Sequence, residues 1–202
     1  KVCVDGFWMG KYEVTQGEWK QIMGTFLNLF NGNFNPSCCN KGDEYPVDSV
    51  SWNDCQDFIE KLNSRSNQDF RLPTEAQWEY AARSGGKKQK YAGGDDVDSV
   101  AWYSDNSDRQ NQEVGTKSPN GLGIYDMSGN VAEWCSDWYT PYYYSNSPKN
   151  NPQGPGHGHN RVHRGGHSGD IARSVRTIRR ESLFPCSGGS GMGMRLVIKT
   201  EE

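Results

Sequence analysis

The chain has 202 residues, a formal net charge of −3, 33% hydrophobic and 12% aromatic residues. That length suits one domain with a sizeable core, and seven Trp with ten Tyr argue against disorder. The small net charge gives no global pull toward nucleic acid or an anionic membrane, and no apolar run approaches the roughly 20 residues that span a bilayer.

No signal peptide opens the chain, and Lys1-Val-Cys3 reads as a trimmed or mature start. With 24 Gly and 9 Pro, much of the length is expected in loops and turns. Lys11–Thr15 alternates and predicts a strand that runs into a helix. Thr15-Gln-Gly-Glu18 has the spacing of a capping box, in which hydroxyl and carboxylate satisfy free amides of a helix's first turn. Residues 24–45 read as a Gly-, Asn- and Asp-rich loop. Ser51-Trp-Asn-Asp54 repeats the cap before a helix to about Arg65, where Cys55, Phe58, Ile59 and Leu62 share one apolar face. Thr74-Glu-Ala-Gln77, after Pro73, opens a third helix to about Arg83 with Trp78, Ala81 and Ala82 inward. A second loop covers 84–98.

Beyond it, short strands are predicted at Val100–Tyr103, Gly123–Met127, Val131–Trp138, Arg161–Arg164, Ser174–Ile178 and Met194–Ile198, with a Pro/Gly-rich excursion at Asn146–Asn160. Helices first and small antiparallel strands afterwards argue an α+β domain whose function sits on loops. The six cysteines contain no CxxC pair, which disfavours a zinc or thioredoxin-like centre, and they are expected to be mostly reduced, buried thiols.

Composition changes abruptly at Arg161. From there to Gly193 the chain contains no Trp, Tyr, Lys, Asn or Gln, although the first 160 residues are rich in them. Arg, His, Ser, Gly, Asp, Ile, Leu, Phe and Cys follow one another there without a period. Such an insert between regular strands reads as a binding surface held on a frame.

Six motifs carry a resemblance: Tyr12-Glu-Val-Thr-Gln, Tyr45-Pro-Val-Asp-Ser-Val-Ser-Trp-Asn-Asp, Arg71-Leu-Pro-Thr-Glu-Ala-Gln-Trp-Glu-Tyr-Ala-Ala-Arg, Asn120-Gly-Leu-Gly-Ile-Tyr-Asp-Met-Ser-Gly-Asn-Val-Ala-Glu-Trp, Arg161-Val-His-Arg-Gly-Gly and Gly193-Met-Arg-Leu-Val. Together they resemble the formylglycine-generating enzyme (sulfatase-modifying factor) family, in order and along nearly the whole chain. The resemblance implies an elaborated C-type lectin fold in a single domain, 1–202. It also implies oxidation of a cysteine to formylglycine by oxygen and a copper ion held on two cysteines. Asp170 and Val175 stand at those two positions, and neither can supply a thiolate to a soft metal. Cys186 is nearby at a different spacing.

The chain is also similar to a non-catalytic branch with this fold, the variable proteins of diversity-generating retroelements. In those, adenines become random bases and Asn-type codons scatter into the residue types that fill 161–193. The expected ligand-binding positions are His163, His167, Ser168, Gly169, Asp170, Ile171, Arg173, Ser174, Arg179, Leu183, Phe184, Cys186, Ser187, Gly188, Gly189 and Ser190. The resemblance implies an unidentified ligand, expected to be a protein, and a bacterial cell-surface or extracellular setting, with any lipid anchor outside these residues. The alternatives are a formylglycine-generating-type oxidoreductase or its catalytically dead paralogue.

No cofactor is required on this reading, but a structural Ca²⁺ is considered. Asp126, Gly129, Val131 and Glu133 offer two carboxylates and two carbonyls around a turn, hard oxygen donors of the kind Ca²⁺ takes, and match a calcium site in the family. The bland reading has Asp126 and Glu133 capping turns. His157 and His159 are expected in solvent, and His163 and His167 on the binding face. The local Arg excess suggests nucleic acid at first sight. However, Arg164, Arg176, Arg180 and Arg195 fall in motif positions suited to tying loops together, so no nucleic acid is expected. Tyr142–Tyr144, near Trp134 and Trp138, reads as a packing and rim feature.

Overall fold

A computed structural model of the chain describes residues 2–24, 35–38 and 41–200. Part of the predicted 24–45 loop, and Cys39 with it, lies outside the described residues. In chain order the elements are β1 (Phe7–Met9), α1 (Gln16–Met23), α2 (Trp52–Asn63), α3 (Glu75–Ala82), α4 (Val97–Val100), β2 (Ala132–Trp138), α5 (Tyr143–Asn146), β3 (Arg161–Arg164), β4 (Arg180–Leu183), β5 (Met192–Gly193) and β6 (Val197–Lys199).

All three expected capping boxes form. Thr15, Ser51 and Thr74 each accept from the third helical amide, while Glu18, Asp54 and Gln77 reach back to the cap amide. Helix α2 stops at Asn63, two residues short of the expected Arg65.

The main sheet has the order β4-β3-β2-β5. β2 pairs antiparallel with β3 and β3 with β4, but β2 and β5 run parallel, contrary to the all-antiparallel expectation. β1 and β6 form a separate antiparallel pair that brings the two ends of the described chain together.

Strand β2 sits between two cores because alternate side chains leave a strand on opposite faces. Ala132 and Trp134 join Trp19, Phe58 and other residues of α1 and α2, with the Trp19 and Phe58 rings stacked 5.0 Å apart. Cys135 goes the other way, into the cluster of Trp78, Ala81, Ala82 and Val162 beneath α3.

Several predicted strands do not form. At 11–15 the consecutive residues Glu13 and Val14 both turn inward, so there is no alternation to pair. Val100–Tyr103 opens with the end of the single turn α4, capped by Asp96, and its Val100, Ala101 and Tyr103 are all buried. Gly123–Met127 carries left-handed backbone at Gly123 and Asp126, which breaks a strand. Ser174–Ile178 closes into turns through Ser174 N–H to the Ile171 carbonyl and Arg179 N–H to the Arg176 carbonyl. Of Met194–Ile198 only Val197 and Ile198 join a strand, β6, after the inward-turned Arg195. Conversely β4 is a strand inside the aperiodic segment; all four of its residues are half-buried, so no face marks it in sequence.

Cys55 and Cys135 are buried thiols as expected, and burial pushes both thiols up. Cys3, Cys38 and Cys186 are exposed instead. Among the described residues no helix is long and apolar enough to cross a membrane.

Candidate ligand-binding face

Two arginines, Arg164 buried and Arg180 half-buried, hold the frame. Arg164, at the end of β3, donates to Glu75 Oε1 at 2.7 Å, Glu79 Oε2 at 2.8 Å and the Thr177 carbonyl at 2.7 Å. Arg180, at the start of β4, grips both oxygens of Glu75 at 2.8 and 2.7 Å and also donates to the Thr140 carbonyl. Burial alone would raise the Glu75 carboxyl. The hydrogen bonds from Arg180 and the charges of Arg164 and Arg180 overcome that and hold it below the usual carboxylate range. One carboxylate of α3 thus ties together two strands and the loop at Thr177. Arg161 adds a third fixed point, sandwiched between the Trp52 and Trp138 rings at 3.9 and 3.5 Å.

On this frame lies a recess of about 200 Å³. Ala132, Arg164, Gly165, Gly166 and Met192 line it together with nine further residues of the 163–190 segment. These are His163, His167, Asp170, Ser174, Arg179, Glu181, Leu183, Gly189 and Ser190. Gly166 has φ +70°, and a Cβ there would stand 2.9 Å from Val175 Cγ1 and 3.1 Å from Asp170 Oδ2. The chain therefore turns tightly at this point and delivers His167 and Asp170 to one spot. The His167 amide donates to Asp170 Oδ2 at 3.0 Å, and the His167 ring lies 3.7 Å from the same oxygen. Arg179 and Glu181 pair across the rim at 2.7 Å. His163 forms a wall, edge-on to Trp134; burial pushes its imidazole down to about 4 against the opposing charges of Glu181 and Asp170.

Eight of the sixteen expected ligand-binding positions line this recess. Ile171 and Phe184 stand out at 50% and 54% exposure, and Arg173, Cys186 and Ser190 are exposed, with Gly169 and Ser187 half-buried. Two positions do not behave as expected. Ser168 is only 3% exposed, its hydroxyl donating to Asn111 Oδ1 and its carbonyl accepting from Ser107. Gly188 is exposed, yet a Cβ on it would collide with the Ser49 carbonyl oxygen, so that position is closed to side chains.

Sequence reasoning missed Glu75 and Glu79, which lie within a quoted motif but only show their role once β3 and β4 are placed. Glu181, not among the expected positions, is a rim residue. His157 and His159 are exposed, Tyr142 is exposed, and Tyr144 donates its hydroxyl to Glu75.

The positions that the resemblance links to copper do not fit that metal. Asp170 is tied to the His167 amide, and Val175 is packed among Tyr91, Val100, Ala101 and Tyr103. The calcium set fits poorly. Glu133 gives both oxygens to the buried Arg195 guanidinium, the shortest contact being 2.7 Å, and accepts from Trp78 Nε1 at 2.6 Å. A protein cation therefore already neutralises it. Of the two carboxylates in this set, Asp126 keeps Oδ1 buried without a hydrogen-bond partner, and burial pushes its carboxyl up to about 6. Glu13 caps the same turn, accepting from Asn130 Nδ2 and Val131 N–H. Among the described residues no group of three His, Cys, Asp or Glu side chains is placed to hold a metal ion.

Residues 1–200 match the Sulfatase-modifying factor enzyme 1-like domain. The chain belongs to that family. Its fold is the formylglycine-generating-enzyme-like form of the C-type lectin fold, as the motifs implied. Treponema denticola variable protein 1 superposes with a TM-score of 0.86 at 30% identity, covering 98% of this chain and 86% of that one. PvdO from Pseudomonas aeruginosa gives 0.79 at 25% identity, covering 96% and 80%. Among curated relatives, the Chaperone protein LppX of Paenibacillus barcinonensis is 34% identical over 69% of this chain and 65% of that protein. The Formylglycine-generating enzyme of Streptomyces coelicolor is 36% identical over 75% of this chain and 52% of its own length. The chain thus spans between half and two thirds of these curated relatives. Within the sulfatase-modifying factor family, likeness to a variable protein and likeness to an enzyme coexist, and the recess at 163–190 has to distinguish them.

Proposed function

We propose that this sulfatase-modifying-factor-like domain is a non-catalytic binding protein whose exchangeable face at 163–190 contacts a protein ligand at a bacterial surface. One observation carries the reading: side chains from a compositionally scattered segment converge on one recess, while the arginines beneath them are locked to α3. Recognition then rests on steric and electrostatic complementarity at the rim, where Asp170, Arg179, Glu181 and Phe184 set charge and shape. Likeness to Treponema denticola variable protein 1 over almost the whole chain supports it. Asp170 and Val175, neither able to bind copper as a thiolate, support the absence of oxidase chemistry.

Sequencing the same locus in sibling isolates tests this directly. Substitutions should concentrate at outward positions such as His167, Asp170, Ile171, Arg173, Phe184 and Gly189, and spare Arg164, Ser168, Thr177 and Gly188. Even scatter over the domain would defeat the proposal. So would copper-dependent oxidation of a cysteine peptide that disappears in Cys186→Ser. The domain is also proposed to need no calcium, because Arg195 supplies the cation at Glu133. A melting temperature equal in millimolar Ca²⁺ and in chelator is expected, and a clear rise with Ca²⁺ would restore the metal site.

A further inference from the structure

A second cavity, of about 800 Å³, opens on the far side of the arginine frame, between α3, the chain following α5, and Val2 and Val4 near the N-terminus. That size is ordinary for a small-molecule site. Three carboxylates line it, and they differ in one respect. Glu75 is held by Arg164 and Arg180, and Glu79 by Arg83 and Arg164. Asp137, the next inward residue of β2 after Cys135, is 2% exposed, and among the described residues it forms no ion pair. Its Oδ2 accepts from the Glu75 amide at 2.8 Å and the Ser136 hydroxyl at 3.3 Å, no described hydrogen bond engages Oδ1, and the residue lines the cavity.

The walls are apolar and unusually open to water. Tyr80 is 44% and Tyr144 56% exposed, and Val2 is also exposed. Ala76 and Tyr80 stand one turn apart on the same face of α3. Tyr144 is a fixed wall, since its hydroxyl donates to Glu75 at 2.8 Å. Of the two cations along the lining, Arg83 is engaged with Glu79 and the Lys87 carbonyl, and Lys149 is exposed.

We propose that this cavity binds a small molecule bearing a protonated amine on an apolar body, the ammonium donating to Asp137 Oδ1 and the body lying against Ala76, Tyr80 and Tyr144. A buried carboxylate without a direct ion pair is unfavourable, and an arriving ammonium supplies a charge in contact together with a donor. Burial and the neighbouring Glu75 charge push Asp137 up to about 7, while Arg180 acts the other way without pairing with it. An anionic ligand would set a second negative charge beside Asp137, and a neutral polyol would leave its charge unbalanced. Tyrosine faces favour the cationic end of the ligand as well as its apolar body. This site is independent of the ligand face at 163–190, and nothing in the proposed binding role requires it.

The test is a titration of the full chain with 2-phenylethylamine, followed by amide chemical shifts, with 3-phenylpropionate and benzyl alcohol as anionic and neutral controls. Saturable shifts are expected at Ala76, Tyr80, Gly85 and Gly86 at concentrations on the order of millimolar, with the amine at least about tenfold tighter than either control. Asp137→Asn keeps an acceptor for the Glu75 amide and should weaken amine binding about tenfold or more. Ala76→Leu, on the helix face toward the cavity, should abolish it by filling the space, and serves if the Asn variant fails to fold. Equal binding of amine and acid, an undiminished affinity in Asp137→Asn or Ala76→Leu, or the absence of saturable shifts at these residues would each overturn the proposal.

Discussion

Adjacent glycines in the loop after β4 have opposite tolerances. A Cβ on Gly188 meets the Ser49 carbonyl, whereas on Gly189 the nearest atom is Met192 Cγ at an ordinary 3.5 Å. Gly188→Ala is expected to cost on the order of 1–3 kcal/mol by overpacking against backbone. Gly189→Ala should fall within about 0.5 kcal/mol of the parent in urea denaturation; equal losses at both sites would contradict this packing. His163 sets a pH dependence. Its folded value of about 4 lies below the usual imidazole range, so between pH 4 and about 6.5 the unfolded chain binds more protons than the folded one. The stability it contributes is complete above that window and disappears as pH falls through it, by an amount on the order of 2 kcal/mol. Asp137, raised to about 7, acts in the opposite sense, its contribution disappearing as pH rises from the carboxylate range toward neutrality. The difference between parent and His163→Phe denaturation curves at pH 7 and pH 4.5 isolates the histidine, and parallel curves would remove it from the account.

At the level of elements, the helix caps reach further than their own helices. Ser51 caps α2, and the amide of Asn53 in the first turn donates to the Pro185 carbonyl, while Ser49 and Ser51 form the wall behind Gly188. The start of α2 therefore supports the loop at 184–190 from beneath. Ser51→Ala should lower stability by about 1 kcal/mol through the lost cap. It should also speed amide exchange at 187–191 more than in β2 or β3. Uniform acceleration would mean that the helix and the loop are not coupled. The caps themselves were readable from short spacings, because each needs only four consecutive residues.

Across the whole molecule, Glu75 is the common anchor of α3, β3 and β4. Replacing one member of a buried pair strands its partner in a medium that cannot solvate it. Arg164→Met is accordingly expected to cost about 3–5 kcal/mol. The double variant with Glu75→Gln should lose clearly less than the sum of the single losses, because the two residues belong to one network. Additive losses in a double-mutant cycle would deny that coupling. With the arginines fixed beneath, the proposed variable rim would change without touching what holds it.

Local signals carried a good deal of this fold. Three caps, the apolar face of α2, and the strands at 132–138 and 161–164 depend on neighbours a few residues away, and the family motifs named the architecture. Where the reading failed, a distant partner was responsible. Glu13 turns inward because Asn130 and Val131, more than a hundred residues later, offer donors for its carboxylate. Arg195 interrupts the last predicted strand because Glu133, Gly10 and Tyr125 surround its guanidinium. Composition alone marked 161–193 as unlike the rest. Only the folded chain decided that Ser168 faces Asn111, that Gly188 is shut by Ser49, and that Asp137 lines a cavity with no ion pair among the described residues. Side-chain chemistry is written residue by residue, but burial and charge compensation depend on groups brought together from far along the chain.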